Sequence, residues 1–352
     1  MRASDAKRYI RALGLEIART PPQAIATIFL GGGTPNAYDA ETIASLIEQL
    51  RTHFPSTRTG KQEISIEINP DAVREGDIDR YASAGINRIS IGVQSFLERE
   101  VRALGRRHTN AQVERCVAEA RAAGIASISL DLMFGLPGQN EEDWSRCLDT
   151  AIALGVDHCS TYGLTIEAGT PFGAIYTRSP ETFGDEDLQA LLYERAMDRF
   201  EAAGFEQYEI SNFARPGHRC RHNENYWRNG SYIGLGVGAA SYMEGRRTST
   251  TRELAKYFEA AESGASIPCE SEELSGLRRL GEAMMLALRT SQGVDTRVFN
   301  QRYGIDPSSI YSSTIAQLID DGLLQRTGEN LRLTRRGRLL ANDVCGAFVT
   351  LE

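Results

Sequence analysis

Between Ile25 and about Leu164 the chain alternates between short β-branched runs and amphipathic stretches of helical period. That alternation is the strongest constraint on the fold. Parallel strands need a crossover of about a dozen residues or more, usually a helix, so the repetition predicts a parallel sheet with helices packed outside, either open or curved into a barrel. Strands are read at Ile25–Leu30, Glu63–Ile68, Arg88–Val93, Ser127–Leu130 and His158–Leu164. Asp39 is placed to cap a helix whose apolar positions are Ile43, Leu46, Ile47 and Leu50. A second helix begins at Asn110 and ends near Gly124, and a third runs from Glu141 to Leu154.

Glu63-Ile64-Ser65-Ile66-Glu67-Ile68 narrows the choice. Its isoleucines share one face, while Ser65, Glu67 and Asn69 share the other. A sheet covered by helices on both faces reads apolar throughout. A polar face argues instead for a lumen or cleft, as in a barrel or part of one. Asp131, directly after Ile128-Ser129-Leu130, carries the same message.

After Leu164 the pattern loosens. Asp185 to Ala203 reads as helix, Gln207–Ile210 as a short strand, and Asn212 to Asn229 as a polar, aromatic-rich loop. From about Glu272 a helix carries Leu277, Leu280, Met284 and Leu288, and another runs from Ser308 through Ile315 and Leu318. Leu323–Arg326 and Leu331–Thr334 then form a hairpin, so this part is winged-helix-like. The fold class expected is α/β, an incomplete (β/α)6-type barrel at residues 1–250 followed by a helical, winged-helix-like domain at 251–352.

Bulk properties exclude several classes of function. No apolar run among the 352 residues is long enough to span a bilayer, and Met1 to Arg11 lacks the apolar core of a signal peptide. The net charge of −8 disfavours broad binding to nucleic acid or anionic membrane, so a cytoplasmic protein with no nucleic-acid partner is expected. Five arginines, at 326, 332, 335, 336 and 338, crowd the wing, and are read as a solvated or partner-facing surface rather than a DNA contact. Six cysteines, at 116, 147, 159, 220, 269 and 345, include no C-x-x-C pair, which excludes a zinc ribbon or a locally encoded iron–sulfur motif. Cys116 and Cys147 fall on apolar helical faces and read as core.

Four polar segments follow strands: Gly31-Gly32-Gly33-Thr34-Pro35, Glu67-Ile68-Asn69-Pro70, Gly92-Val93-Gln94-Ser95-Phe96, and Asp131 through Gly138. In parallel α/β folds ligands gather outside the carboxyl ends of strands. Carboxylates and an amide suit an ammonium group and ribose hydroxyls, while glycine N–H groups suit a carboxylate or phosphate. Singly each is a turn or strand cap; four in strand order outline a site.

With these motifs the chain resembles the radical S-adenosylmethionine enzymes, in the branch that holds oxygen-independent coproporphyrinogen III dehydrogenase and the HemW-type haem chaperones. The resemblance covers nearly the whole chain. It implies S-adenosyl-L-methionine contacts at Gly32, Gly33, Thr34, Glu67, Gln94, Arg106, Asp131 and the backbone near Thr165, with Arg106 pairing with the cofactor carboxylate. The segment from Gln207 to Trp227, with His222-Asn223-Glu224-Asn225-Tyr226-Trp227 at its end, is similar to the haem-chaperone side and not to the dehydrogenase. It implies a haem site: His222, with Cys220 second, as candidate iron ligand, and Tyr226 and Trp227 against the porphyrin. The function implied is haem binding and delivery to a haem-acceptor protein, membrane-associated acceptors included; oxidative decarboxylation of coproporphyrinogen is the alternative.

The chain departs from that family at its beginning. The family's C-x₃-C-x₂-C motif, which binds a 4Fe-4S cluster, lies ahead of the glycine motif, and no cysteine precedes Gly31 here. Asp5 to Ala18 reads as the helix after the cluster loop. Either the chain is truncated or it is a member that has lost its cluster; the retained S-adenosylmethionine-facing residues favour truncation, with ~30–45 further codons upstream encoding a strand and the cluster cysteines, and the cluster is expected only where that segment is restored.

Overall fold

The alternating region folds into strands joined by helical crossovers in the computed structural model, which describes residues 3–57, 61–243 and 245–349. In chain order the elements are α1 (Ala3–Arg19), β1 (Thr27–Leu30), α2 (Ala40–His53), β2 (Glu63–Ile68), α3 (Asp77–Ala84), β3 (Arg88–Gln94) and α4 (Glu98–Ala103). Then come α5 (Asn110–Ala122), β4 (Ser127–Phe134), α6 (Glu141–Ala153), β5 (His158–Gly163), α7 (Pro171–Arg178), α8 (Glu186–Ala202), β6 (Glu206–Gln207), β7 (Asn212–Ala214) and α9 (Arg221–Trp227). The rest comprises β8 (Ala240–Met243), β9 (Arg246–Thr250), α10 (Leu254–Ser263), β10 (Cys269–Glu273), α11 (Gly276–Leu288), β11 (Val294–Asp295) and α12 (Thr296–Tyr303). It ends with α13 (Pro307–Ile310), α14 (Ser312–Asp320), β12 (Leu324–Thr327), β13 (Asn330–Leu333), α15 (Arg335–Leu339) and α16 (Ala341–Gly346).

Two compact units result. One comprises residues 28–44 and 63–219, the other residues up to Thr27, 45–62 and from Cys220 onward. The first holds a sheet of order β1-β2-β3-β4-β5-β7-β6. Strands β2 to β5 are parallel, and β7 runs antiparallel to both β5 and β6. Register puts Ile66, Ile89 and Ile128 side by side, with Ile68, Ile91, Leu130 and Cys159 in the next row of that face. All seven are buried, and α5 packs on β3 while α8 packs on β4 and β5. Each such side chain contributes roughly 1.5–3 kcal/mol by leaving water.

The opposite face carries different chemistry at the same rows. Glu67, Ser90, Ser129 and His158 form one row, and Gly92, Asp131 and Ser160 the next toward the strand ends. The polar face expected from β2 thus continues across four strands. His158, buried on this face, is paired at both nitrogens: Nδ1 lies 2.7 Å from Ser129 Oγ and Nε2 lies 2.8 Å from the Tyr208 hydroxyl. Burial holds its pKa well below the ordinary imidazole value, so it stays neutral.

In the second unit α1 packs along α10, around Ala12, Tyr257, Phe258 and Ala261. Glu16 Oε2 accepts from the Gly236 amide at 2.8 Å and the Tyr257 hydroxyl at 2.7 Å. Strands β10-β9-β8 form one antiparallel sheet, and β11-β13-β12 form the small sheet of the winged-helix-like part, with β12 and β13 as the expected hairpin. No helix among the described residues is long and apolar enough to cross a membrane.

Several boundaries differ from the sequence reading. Strand β4 does not stop at Leu130, because Asp131 to Phe134 keep pairing with Ser160 to Gly163 of β5. The strand read at Gln207–Ile210 is displaced to β6 and β7. The stretch read as a loop from Asn212 contains β7 and the helix α9. The helix read from Ser308 is two helices broken at Tyr311, whose buried ring packs on Phe348 with centroids 5.2 Å apart.

Candidate functional site

The glycine turn after β1 is shaped by two local demands. A Cβ on Gly31 would press into the Phe29 ring and stand 3.0 Å from the Glu67 carboxyl, so any larger residue would have to displace one of them. Gly32 and Gly33 have φ of 77° and 132°, and both have open space where side chains would stand. The Gly32 amide donates to Glu67 Oε2 at 3.3 Å. Thr34 follows, its Oγ1 accepting from Asn69 Nδ2 at 3.1 Å.

Gln94 reaches the same area by an irregular backbone. The β3–β4 register slips between Gly92 and Gln94, and Gln94 has φ of 65°. A left-handed non-glycine residue costs roughly 1–2 kcal/mol, and it re-aims the side chain. A Cβ on Gly92 would lie 3.2 Å from Gln94 Nε2 and 3.3 Å from Asn69 Oδ1, so the glycine makes room for both amides. Asn69 is locked by buried Asn36, whose Nδ2 donates to the Asn69 carbonyl at 2.9 Å and whose Oδ1 accepts from the Asn69 amide at 3.0 Å. Arg106 Nη1 donates to Asn69 Oδ1.

The two carboxyls are short of positive charge. Asp131 Oδ1 accepts from Ser90 Oγ at 3.0 Å, and Ser160 also donates to this carboxyl. Burial nevertheless pushes its pKa up to about 6, against the pull of both serines and Arg106. Glu67 is also raised, by burial first and the charge of Asp131 second, with the Gly32 amide opposing. A cation between such groups would relieve both shifts. Thr165 is exposed in the segment after β5. Glu67, Asp131, Gln94, Arg106, Thr34 and the glycines therefore converge around one set of strand ends. The sequence reading placed Asn69 on the polar face but missed Ser90, Ser160 and Asn36; for the two serines the period-2 alternation of β3 and β5 was the available signal.

The second group of residues lies on α9, in the other unit. Cys220 is buried at the position preceding the helix. His222 and Tyr226 are one turn apart, with Nε2 and the hydroxyl 2.9 Å apart and ring centroids at 5.0 Å. Nδ1 of His222 lies 2.8 Å from Thr27 Oγ1. Tyr232 packs edge-on against Tyr226 at 4.6 Å, and partial burial pushes the Tyr226 hydroxyl up to about 12. Trp227 lies under the Arg289 guanidinium at 5.4 Å, and its buried Nε1 has no hydrogen-bond partner among the described residues. Arg302 of α12 donates to the carbonyls of Arg228 and Asn229, and Asn229 ends the helix with φ of 50°. Thr27, Arg289 and Arg302 escaped the sequence reading, because nothing local marks partners so distant in the chain.

The cysteines are dispersed. Cys269 is exposed and the other five are buried. Burial pushes the thiol of Cys116 up to about 11 and that of Cys147 up to about 12, the behaviour of core residues. No group of three or more His, Cys, Asp or Glu among the described residues could hold a metal ion.

Comparison with known proteins gives two family matches. Residues 8–151 match the Radical SAM superfamily, and residues 274–340 match the HemN C-terminal domain. The heme chaperone HemW of Bacillus subtilis is 35% identical over 347 residues, covering 97% of this chain and 91% of the relative. Escherichia coli heme chaperone HemW is 33% identical over 339 residues, 95% of this chain and 86% of the relative. In structure the chain is similar to coproporphyrinogen III oxidase (HemN) from Escherichia coli, a radical SAM enzyme, with TM-score 0.83 and 22% identity, over 100% of this chain and 85% of that one. That likeness shows the fold.

Proposed function

The chain belongs to the HemW-type haem-chaperone family of the radical S-adenosylmethionine superfamily, and from that premise we propose that it binds haem through α9 and passes it to an acceptor protein in the cytoplasm. The observation that carries the reading is the His222 ring, held at Nδ1 by Thr27 with Nε2 turned to the Tyr226 hydroxyl. An imidazole fixed through one nitrogen is a ready iron ligand through the other. Tyr226 and Trp227 supply aromatic surface for the porphyrin, and the buried, unpartnered Nε1 of Trp227 suits a propionate oxygen. Buried Cys220 is the second candidate ligand.

The strand ends of the other unit suit S-adenosyl-L-methionine. The raised carboxyls of Glu67 and Asp131 would bind its ammonium and ribose groups, and Gln94 and the free faces of Gly32 and Gly33 its polar remainder. Thr34 and the backbone at Thr165 complete the proposed contacts. Arg106, which now grips Asn69, would exchange that amide for the cofactor carboxylate. When bound, S-adenosylmethionine supplies a sulfonium reagent. A 4Fe-4S cluster does not fit the described residues, since the six cysteines are dispersed and mostly buried.

Haem titrated into the full chain should give a saturable spectrum of a nitrogen-ligated iron that His222→Ala changes. Anaerobic incubation of the protein carrying a reconstituted 4Fe-4S cluster with coproporphyrinogen III and S-adenosylmethionine should yield no protoporphyrinogen. Product in that assay would replace the chaperone reading with the dehydrogenase.

A further inference from the structure

Both ring nitrogens of His222 are engaged, by partners of different kinds. Thr27 Oγ1, 2.8 Å from Nδ1, belongs to the first residue of a strand, on a β-branched side chain with few rotamers. The Tyr226 hydroxyl, 2.9 Å from Nε2, belongs to a side chain 37% exposed. A neutral imidazole has one proton, so one nitrogen donates and the other accepts. Hydroxyls can do either.

We propose that His222 is a capped ligand: Nδ1–H donates to Thr27 Oγ1, the Nε2 lone pair accepts from the Tyr226 hydroxyl, and incoming haem gains its iron bond by displacing that hydroxyl. The proposal rests on His222 being the iron ligand. The step balances without proton transfer or redox change: the O–H···N hydrogen bond and the iron's bond to a water break, the iron–nitrogen bond forms, and the released Tyr226 hydroxyl and water hydrogen-bond to solvent.

The geometry assigns the two partners different jobs. Coordination through Nε2 requires the proton on Nδ1, and metal-binding histidines regularly hand that proton to an oxygen acceptor. Thr27 is that acceptor and makes Thr27 a positioning residue. Tyr226 can withdraw, since its side chain is 37% exposed and only partly buried at the hydroxyl, and its ring keeps the edge-on packing against Tyr232 at 4.6 Å. A histidine that merely braced α9 would have no use for an exposed partner.

Ferric haem titrated into the full-length chain and its variants tests this, with affinity, association rate, absorption spectrum and iron reduction potential as readouts. Tyr226→Phe keeps the ring and removes the cap; it should bind haem roughly fivefold more tightly and faster, with the wild-type spectrum. Thr27→Val should bind roughly tenfold more weakly with a raised reduction potential, because the imidazole loses the acceptor that enriches it, and Thr27→Ser should restore both. Unchanged or weakened binding by Tyr226→Phe overturns the cap. A Thr27→Val chain with wild-type affinity and potential overturns the tautomer assignment. His222→Ala separates the two levels: wild-type affinity and spectrum there would remove the ligand reading itself, whereas loss of binding with an inert Tyr226→Phe removes only the cap.

Discussion

The strand ends of the parallel sheet and the helix α9 both expose polar groups that an ordinary core would exclude, and they hold them by opposite means. At the strand ends, Glu67, Ser90, Asp131 and Ser160 come together because parallel register and period-2 alternation leave no other arrangement. Their partners are near neighbours in the sheet, and the carboxyls remain under-compensated, with raised pKa values. On α9, His222 and Tyr226 meet through helical spacing, while Thr27 is supplied from 195 residues away. There the imidazole is hydrogen-bonded at both nitrogens, while the buried Trp227 Nε1 has no partner among the described residues. The sheet therefore offers a site waiting for a cation, and the helix offers a neutral ligand waiting for iron.

Paired substitutions test that contrast most severely. His222→Ala should lower haem affinity by more than roughly 100-fold, beyond the usual effect of losing a ligand's outer partner, and leave S-adenosylmethionine binding unchanged by calorimetry. Glu67→Gln should do the reverse, weakening S-adenosylmethionine roughly tenfold through loss of a charge-assisted contact and sparing the haem spectrum. If either variant disturbs both ligands equally, the division of labour fails.

The raised Asp131 sharpens the electrostatic half. Its folded pKa of about 6 lies above the ordinary aspartate value of 3.8, so the native state binds the proton more tightly than the unfolded state. Stability therefore falls as pH rises from about 4 through 6. Asp131→Asn keeps both serine partners and removes the charge; it should stabilise the chain by about 1–2 kcal/mol at pH 7 and by nothing below pH 4, as read by urea denaturation. S-adenosylmethionine affinity of the wild-type chain should rise through the same pH range. A flat profile in both would mean that Asp131 is solvated and ordinary.

The smallest effect concerns the backbone at Gln94. Gln94→Gly relieves a left-handed φ of 65° and should gain up to about 1 kcal/mol of stability, while weakening S-adenosylmethionine by loss of the amide. A variant that is both less stable and normal in binding would make the bulge a packing feature.

Much of this was legible in the residue order. The alternation of Ile and Ser or Glu along Glu63–Ile68 fixed which face would be apolar, and the same two-residue period put Asp131 on the polar face beside Ser90 and Ser160. The apolar stripe Val113, Cys116, Val117 and Ala120 identified a buried thiol without structural help. Such features depend on neighbours in the chain or on one repeating register, so local physics determines them. Strand β4 ran past Leu130, because cross-strand pairing outweighed the signal of a charged residue. The segment after Asn212 concealed a helix, since a seven-residue helix is too short to stand on periodicity and is held at its end by Arg302. The bulge at Gln94, the grip of Arg106 on Asn69 and the reach of Thr27 to His222 were decided by the tertiary structure alone. Each joins groups whose encounter depends on the whole path of the chain between them, and no residue pattern along that path encodes the meeting.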